Sequence, residues 1–245
     1  MKRIVRNTLI LILIGGLLLF YLNKRNILGE GLLNKEASRI VNGGTTNEYI
    51  NEYINEDINE DVEEDVSLLL VNENYGLSKD YKPKNLVIPD ILFSNWVTYE
   101  EKHVDERIVE DLENLIYAAK AEGIILLGNS GYRSYKSQKN LFKDRVLSQG
   151  RESAEAYVAK PGYSEHQTGL AIDITNEENY LTQGSKEAIW LEENCHKFGF
   201  IIRYPYGKED ITGIEYEPWH IRYVGKEAAK YIYDNGITLE EYLGR

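Results

Sequence analysis

Between Asn47 and Val66 the chain reads NEYI NEYI NEDI NEDV EEDV, with nine acidic residues and no basic one. A low-complexity stretch with one sign of charge cannot bury enough apolar surface to repay the entropy of ordering, so it is expected to be extended or disordered. One apolar residue in every four would form a stripe that drifts around a helix, and the neighbouring carboxylates would repel one another along it. Gly43 and Gly44 precede it as flexible joints. A cooperative fold is thereby confined to residues 67–245, a length typical of one domain. The repeat itself reads as a spacer, or as an expanded repeat without a specific role.

The N-terminus is of another kind. Lys2, Arg3 and Arg6 flank a charge-free run from Thr8 to Leu22, and Lys24 and Arg25 follow it. A basic flank and an apolar run of this size read as an export signal or a membrane anchor. The run is short for a spanning helix, although Ile4 and Val5 extend it. No small-x-small cleavage site follows it, which favours an uncleaved anchor over a cleaved signal. The expected division is therefore 1–25 as basic flank plus membrane segment, 26–66 as acidic linker and 67–245 as the folded domain. The basic N-terminus is expected on the cytoplasmic side, with the domain outside. The corresponding location is the cell membrane, single-pass with an extracytoplasmic domain, or secretion if the segment is cleaved.

A net charge of -12 argues against nucleic acid as a partner, since phosphate binding needs basic patches. The single cysteine, Cys195, excludes an intrachain disulfide. It lies in an apolar helical pattern and reads as a small buried residue.

Within 67–245 the patterning alternates irregularly between strand and helix. Leu68–Val71 reads as a short strand. Asp105–Ala121 has apolar residues at helical spacing, with Ile108, Leu112, Leu115, Ile116 and Ala119 on one face. Ile124–Gly128 reads as a strand, Tyr135–Gln149 as a helix ending at Gly150, and Leu170–Thr175 as a strand. Lys186–Phe198 is a third helix, followed by Gly199 and a strand through Arg203. Trp219–Val224 is a further strand and Lys226–Asn235 a closing helix. No glycine-rich nucleotide loop is present. The pattern predicts an α+β domain with a mainly antiparallel sheet and helices packed on it.

Four histidines can be weighed one by one. His103 lies in a charged run and reads as a surface residue. His196 lies in the third helix and reads as structural. His166 follows Pro161, Gly162 and Ser164 in a loop, and Asp173 stands seven residues later inside an alternating apolar strand. Leu170, Ile172 and Ile174 should face one way, with Ala171, Asp173 and Thr175 facing the other. A carboxylate in such a strand is costly unless it is paired or bound to metal. His220 alternates with Trp219 and Ile221, which places it on the opposite strand face. Two imidazoles and a carboxylate are an ordinary catalytic zinc set that leaves one position open. Glu217 stands three residues before His220 with Pro218 between, where it can hang beside a metal without binding it. Zinc lowers the pKa of bound water to about 7, and an adjacent carboxylate can take that proton and return it to a leaving amine.

The stretches SEHQTGLAID (Ser164–Asp173) and EPWHIRYVG (Glu217–Gly225), with GYRSYKSQ (Gly131–Gln138) and GFIIRYP (Gly199–Pro205), resemble the VanY-type D-alanyl-D-alanine carboxypeptidases. That family is related to the VanX dipeptidases and shares a fold with the Hedgehog signalling domain. The resemblance runs from about Leu68 to Leu243. It implies one zinc ion per chain on His166, Asp173 and His220, with Glu217 as general base and then acid. It further implies that Arg133 steadies the oxyanion or the substrate carboxylate. Ser164 would lie near that carboxylate, with Tyr132, Ser134 and Gln138 lining the pocket. The implied activity is removal of the C-terminal D-Ala from peptidoglycan stem peptides or their lipid-linked precursors. The domain would act as a monomer and could contribute to glycopeptide resistance. An L,D-carboxypeptidase trimming tetrapeptide stems and a non-catalytic wall-binding module are the alternatives.

Overall fold

The computed structural model describes residues 67–245, and the expected membrane segment and acidic linker lie outside them. Among the described residues no helix is long and apolar enough to cross a membrane.

The first elements are two short strands, β1 (Leu86–Val87) and β2 (Val104–Asp105), paired antiparallel. The Asp105 side chain caps the next turn by accepting from the Arg107 N–H, and α1 (Val109–Ala121) follows. Leu112, Leu115 and Ala119 turn their stripe inward. After it come β3 (Leu127–Ser130), α2 (Tyr135–Gln149) and the short α3 (Arg151–Glu155). Next are β4 (Ala171–Thr175), α4 (Lys186–Asn194), β5 (Phe200–Ile202) and α5 (Glu209–Thr212). β6 (His220–Tyr223), α6 (Lys226–Asn235) and α7 (Leu239–Tyr242) close the chain.

Four strands form one sheet in the order β3-β4-β6-β5, and every pairing in it is antiparallel. The architecture is the α+β arrangement the patterning predicts. Leu170, Ile172, Ile174 and Ile221 meet α1 and α4 in one core, with Trp219 and Tyr223 packed against it. A second cluster joins Ile201 and Val224 to α6 and Leu239.

Three expectations need correction. Leu68–Val71 is not a strand: Val71 is buried, but the Leu69 carbonyl is taken by the Arg222 guanidinium and not by a neighbouring strand. The strand expected at Ile124–Gly128 lies at Leu127–Ser130, because the Ile124 N–H still bonds back to Ala119 at the end of α1. The third helix is α-helical only to Asn194; Cys195–Phe198 tightens into a 3₁₀ turn before left-handed Gly199.

Candidate metal centre

The sheet register sets the first part of the site. Asp173 in β4 stands directly opposite His220 in β6 and opposite Ser130 in β3. Directly opposed residues in antiparallel strands share a face, so the three side chains form a row across the sheet. An irregularity between Gly128 and Ser130 shifts the register at this point, as bulges commonly do where a side chain must be re-aimed.

His166 comes from the loop before β4. Glu165–Thr168 is a buried 3₁₀ turn. The Thr168 hydroxyl donates to the Glu165 carbonyl at 2.6 Å and accepts from the Leu170 N–H at 3.0 Å. Gly169 then adopts φ +70°, and a Cβ there would lie 2.9 Å from the Asp105 nitrogen. The turn therefore requires glycine both for its φ and for its close approach. On the other side, Gly131 packs so tightly that a Cβ would come within 2.4 Å of the His103 carbonyl. That approach brings the Gly131 carbonyl to 2.7 Å from His166 Nδ1. The proton is thus placed on Nδ1, and Nε2 is left as a lone-pair donor.

The donor atoms of His166, Asp173 and His220 all lie within 4.8 Å of one another. His166 Nε2 is 3.5 Å from Asp173 Oδ2, and His220 Nδ1 is 3.1 Å from Asp173 Oδ1. Tetrahedral ligands at ordinary Zn–N and Zn–O distances sit about 3.3 Å apart. Asp173 Oδ1 is buried yet makes no hydrogen bond of good geometry, although a buried carboxylate oxygen is ordinarily satisfied. Spacing, donor types and this unsatisfied oxygen all fit a zinc ion.

Electrostatics favour the ligand forms unequally. Burial, with Arg133 nearby, lowers His166 to about 3, so its imidazole is neutral near pH 7. Burial opposes the charge on Asp173, but His166 and His220 outweigh it and hold the carboxyl at about 2. Burial opposes the charged form of His220 as well, yet the close carboxylates of Asp173 and Glu165 lift it to about 9 without metal. Binding a cation there must displace that proton.

Glu217 and His220 are brought together by a turn in which the His220 N–H bonds the Glu217 carbonyl at 3.2 Å. Glu217 Oε2 lies 3.7 Å from His220 Nδ1. Burial raises the Glu217 carboxyl to about 8; His220 opposes the rise and the Asp173 charge adds to it. These groups sit in a cleft of about 860 Å³, also lined by Arg133, Gln138 and Ser164. Arg133 is not a surface residue. It is buried and donates to Gln138 Oε1 at 2.6 Å and to Ser130 Oγ at 2.8 Å, and its Nε lies 3.6 Å from Glu101 Oε1. Gln138 in turn donates to the Ala159 carbonyl.

Two expected lining residues are elsewhere. Tyr132 and Ser134 do not line the cleft. The Ser134 hydroxyl caps α2 by accepting from the Ser137 N–H, which turns it toward the helix. Tyr132 is buried and its N–H is tied to the His103 carbonyl. His103 is half-buried, with Nδ1 near the Tyr99 and Glu100 carbonyls. His196 stacks on Tyr233 at 3.7 Å, but its Nδ1 has no partner. Cys195 is buried, and burial pushes its thiol up to about 12, which leaves it unreactive.

Sequence reading missed Glu165, which lies inside a quoted motif. It is buried beneath the site between the guanidinium groups of Arg203 and Arg222. The available signal was that both arginines occur in apolar strand patterns, where a buried cation demands a carboxylate.

The family model described as VanY, D-alanyl-D-alanine carboxypeptidase, matches residues 101–226. A putative carboxypeptidase, YodJ of Bacillus subtilis, is 48% identical over 180 residues, covering 71% of this chain and 66% of that protein. The chain therefore spans slightly less than two thirds of that relative. The LdcB LD-carboxypeptidase structure, described as revealing the basis of peptidoglycan recognition, has a TM-score of 0.67 at 48% identity, covering 71% of this chain and 84% of its own. A mutant of the vancomycin resistance D,D-pentapeptidase VanY, solved in complex with Zn(II), has a TM-score of 0.63 at 41% identity, covering 73% and 99%.

Proposed function

This chain belongs to the VanY family of D-alanyl-D-alanine carboxypeptidases, and from that membership and the site geometry we propose that it is a zinc carboxypeptidase removing the C-terminal D-Ala of peptidoglycan stem peptides. The observation that carries the reading is the convergence of His166, Asp173 and His220 beside a buried carboxyl, Glu217, in one cleft.

Zinc on those three residues supplies a Lewis acid for the scissile carbonyl and acidifies a water at that position. Glu217 takes a proton from the attacking water and gives it to the departing D-Ala nitrogen. Burial lifts this carboxyl to about 8 without metal, and a bound dication would draw it down toward the range that suits both halves of that transfer near neutral pH. Arg133 lines the cleft, with its Nε 3.6 Å from Glu101 Oε1, and supplies charge to the developing oxyanion or to the terminal carboxylate of the substrate. Gln138 and Ser130 hold that guanidinium in place, so its charge is positioned before substrate arrives. Ser164 sits in the same wall, near where the terminal carboxylate would lie. The full chain should release D-Ala from a pentapeptide stem, and a chelator should stop it. Unaltered release after the metal is stripped would sink the reading.

The likeness to the LdcB LD-carboxypeptidase favours one second reading, the trimming of tetrapeptide stems. Mass spectrometry of products from matched pentapeptide and tetrapeptide substrates separates the two. We propose further that residues 1–25 anchor the chain and place a monomeric domain outside the membrane, with 26–66 as spacer. The basic flank and apolar run support this, and protease accessibility of the domain in intact spheroplasts tests it. Removal of terminal D-Ala would reduce glycopeptide susceptibility on expression; an unchanged vancomycin inhibitory concentration would count against that role.

A further inference from the structure

We infer that Glu165 is a positioning residue for the metal site: its Oε2 takes the Nε2–H of His220 and so selects the tautomer that leaves Nδ1 to the metal. The inference rests on the ligand set of the proposed function but not on its reaction.

His220 faces two different surroundings. Its Nδ1 is 3.1 Å from Asp173 Oδ1 and 3.7 Å from Glu217 Oε2, on the side of the cleft. Its Nε2 points away, 3.5 Å from Glu165 Oε2. Both Nε2 and Oε2 are buried, and neither has a hydrogen-bond partner. Buried polar atoms are ordinarily paired. Each faces a group able to satisfy it, and closing by about half an ångström makes a normal N–H···O bond.

Glu165 is built to offer that oxygen. Its other oxygen, Oε1, accepts from Arg203 Nε and Arg222 Nη1, both at 2.7 Å. The two cations compensate the buried charge, and Oε2 remains for His220. The arginines are fixed in turn. Glu240 in α7 binds Arg203 at 3.0 and 2.6 Å, and the Ser67 and Leu69 carbonyls accept from Arg222 at 3.0 and 2.9 Å. The other histidine ligand is oriented differently: His166 gives its Nδ1 proton to a backbone carbonyl. The two imidazoles are thus set in opposite tautomers by two different acceptors. Outer-sphere acceptors of this kind orient a metal-bound histidine and raise its basicity.

The test uses the full zinc-loaded chain. Long-range proton–nitrogen correlation of ¹⁵N-histidine-labelled protein should show His220 protonated at Nε2 and metal-shifted at Nδ1. The reverse assignment overturns the inference, and this measurement needs no variant. In Glu165→Gln, the amide oxygen stays with the arginines and NH₂ faces His220, so Nε2–H has no acceptor. Zinc affinity measured against a chromophoric chelator should fall about 10–100-fold, and the cobalt(II) absorption spectrum should change. Glu240→Gln also disturbs Arg203 but touches neither His220 nitrogen, and should leave both readouts unchanged. Equal loss in the two variants would mean that Glu165 only stabilises the fold. Failure of D-Ala release with these spectra as expected would overturn the proposed reaction and leave this inference standing.

Discussion

At the scale of single residues, the proposed mechanism gives Glu217 the proton and His220 the competition with metal. Glu217→Gln keeps the shape of the side chain and removes the acid and base. It should lower kcat about 10²–10⁴-fold with KM little changed, while zinc content measured by atomic absorption stays at wild-type level. The same two groups give the metal-free protein a pH signature. Burial raises Glu217 from 4.5 to about 8. The carboxylates of Asp173 and Glu165 lift His220 against burial from 6.5 to about 9. In both cases the native state binds its proton more tightly than the unfolded chain does, so stability falls as pH rises through that window. The thermal midpoint of chelator-treated protein should therefore drop between pH 6.5 and 9. The opposite trend in zinc affinity should appear in a chelator competition, because binding displaces these protons. His166 behaves oppositely: burial lowers it to about 3, so its contribution is lost as pH falls below 6.5.

At the scale of elements, one β-pairing and two glycines place the donors. Asp173 opposite His220 was readable as a polar residue in each of two alternating strands, but their register was not, because pairing partners are distant in sequence. The helices Tyr135–Gln149 and Lys226–Asn235 match their patterns because their ends are local: Ser134 caps one start, and Gly150 and Gly236 terminate the two. Leu68–Val71 misled because its carbonyls meet an arginine side chain. Gly131→Ala would drive a methyl into the His103 carbonyl and shift the backbone that orients His166. We expect a destabilisation of about 1–3 kcal/mol in denaturant unfolding with weakened zinc binding, whereas Gly184→Ala, with open space around it, should cost a similar ~1–3 kcal/mol of local strain for its positive φ but leave zinc binding intact.

At the scale of the whole domain, a buried network of Arg203, Arg222, Glu165 and Glu240 ties the first described residues and the last helix to the sheet beneath the site. Opposite charges balance within it, since Arg203 and Arg222 stand against Glu165 and Glu240. Its strength lies in pairing, and removal of one member strands the others in low dielectric. Arg203→Leu should cost about 3–5 kcal/mol in denaturant unfolding, far more than loss of an exposed pair such as Lys230–Asp234. The network also holds Glu165 ionised well below the ordinary carboxylate range, with both arginines outweighing burial. That contribution is present above pH 4.5 and lost only in strong acid.

The sequence by itself determined the antiparallel α+β class and picked out three candidate metal donors with Glu217 beside them. Each of these follows from local pattern: hydrophobic period, and a costly polar residue in an apolar strand. Tertiary structure decided what those residues do to one another. It chose which nitrogen of each histidine faces the site, turned Ser134 to a helix cap, buried Arg133, and set Glu165 behind His220. These outcomes depend on contacts between segments far apart in the chain, as between Glu165 and Glu240 through Arg203. A one-dimensional pattern carries no information about which distant groups will share a low-dielectric space.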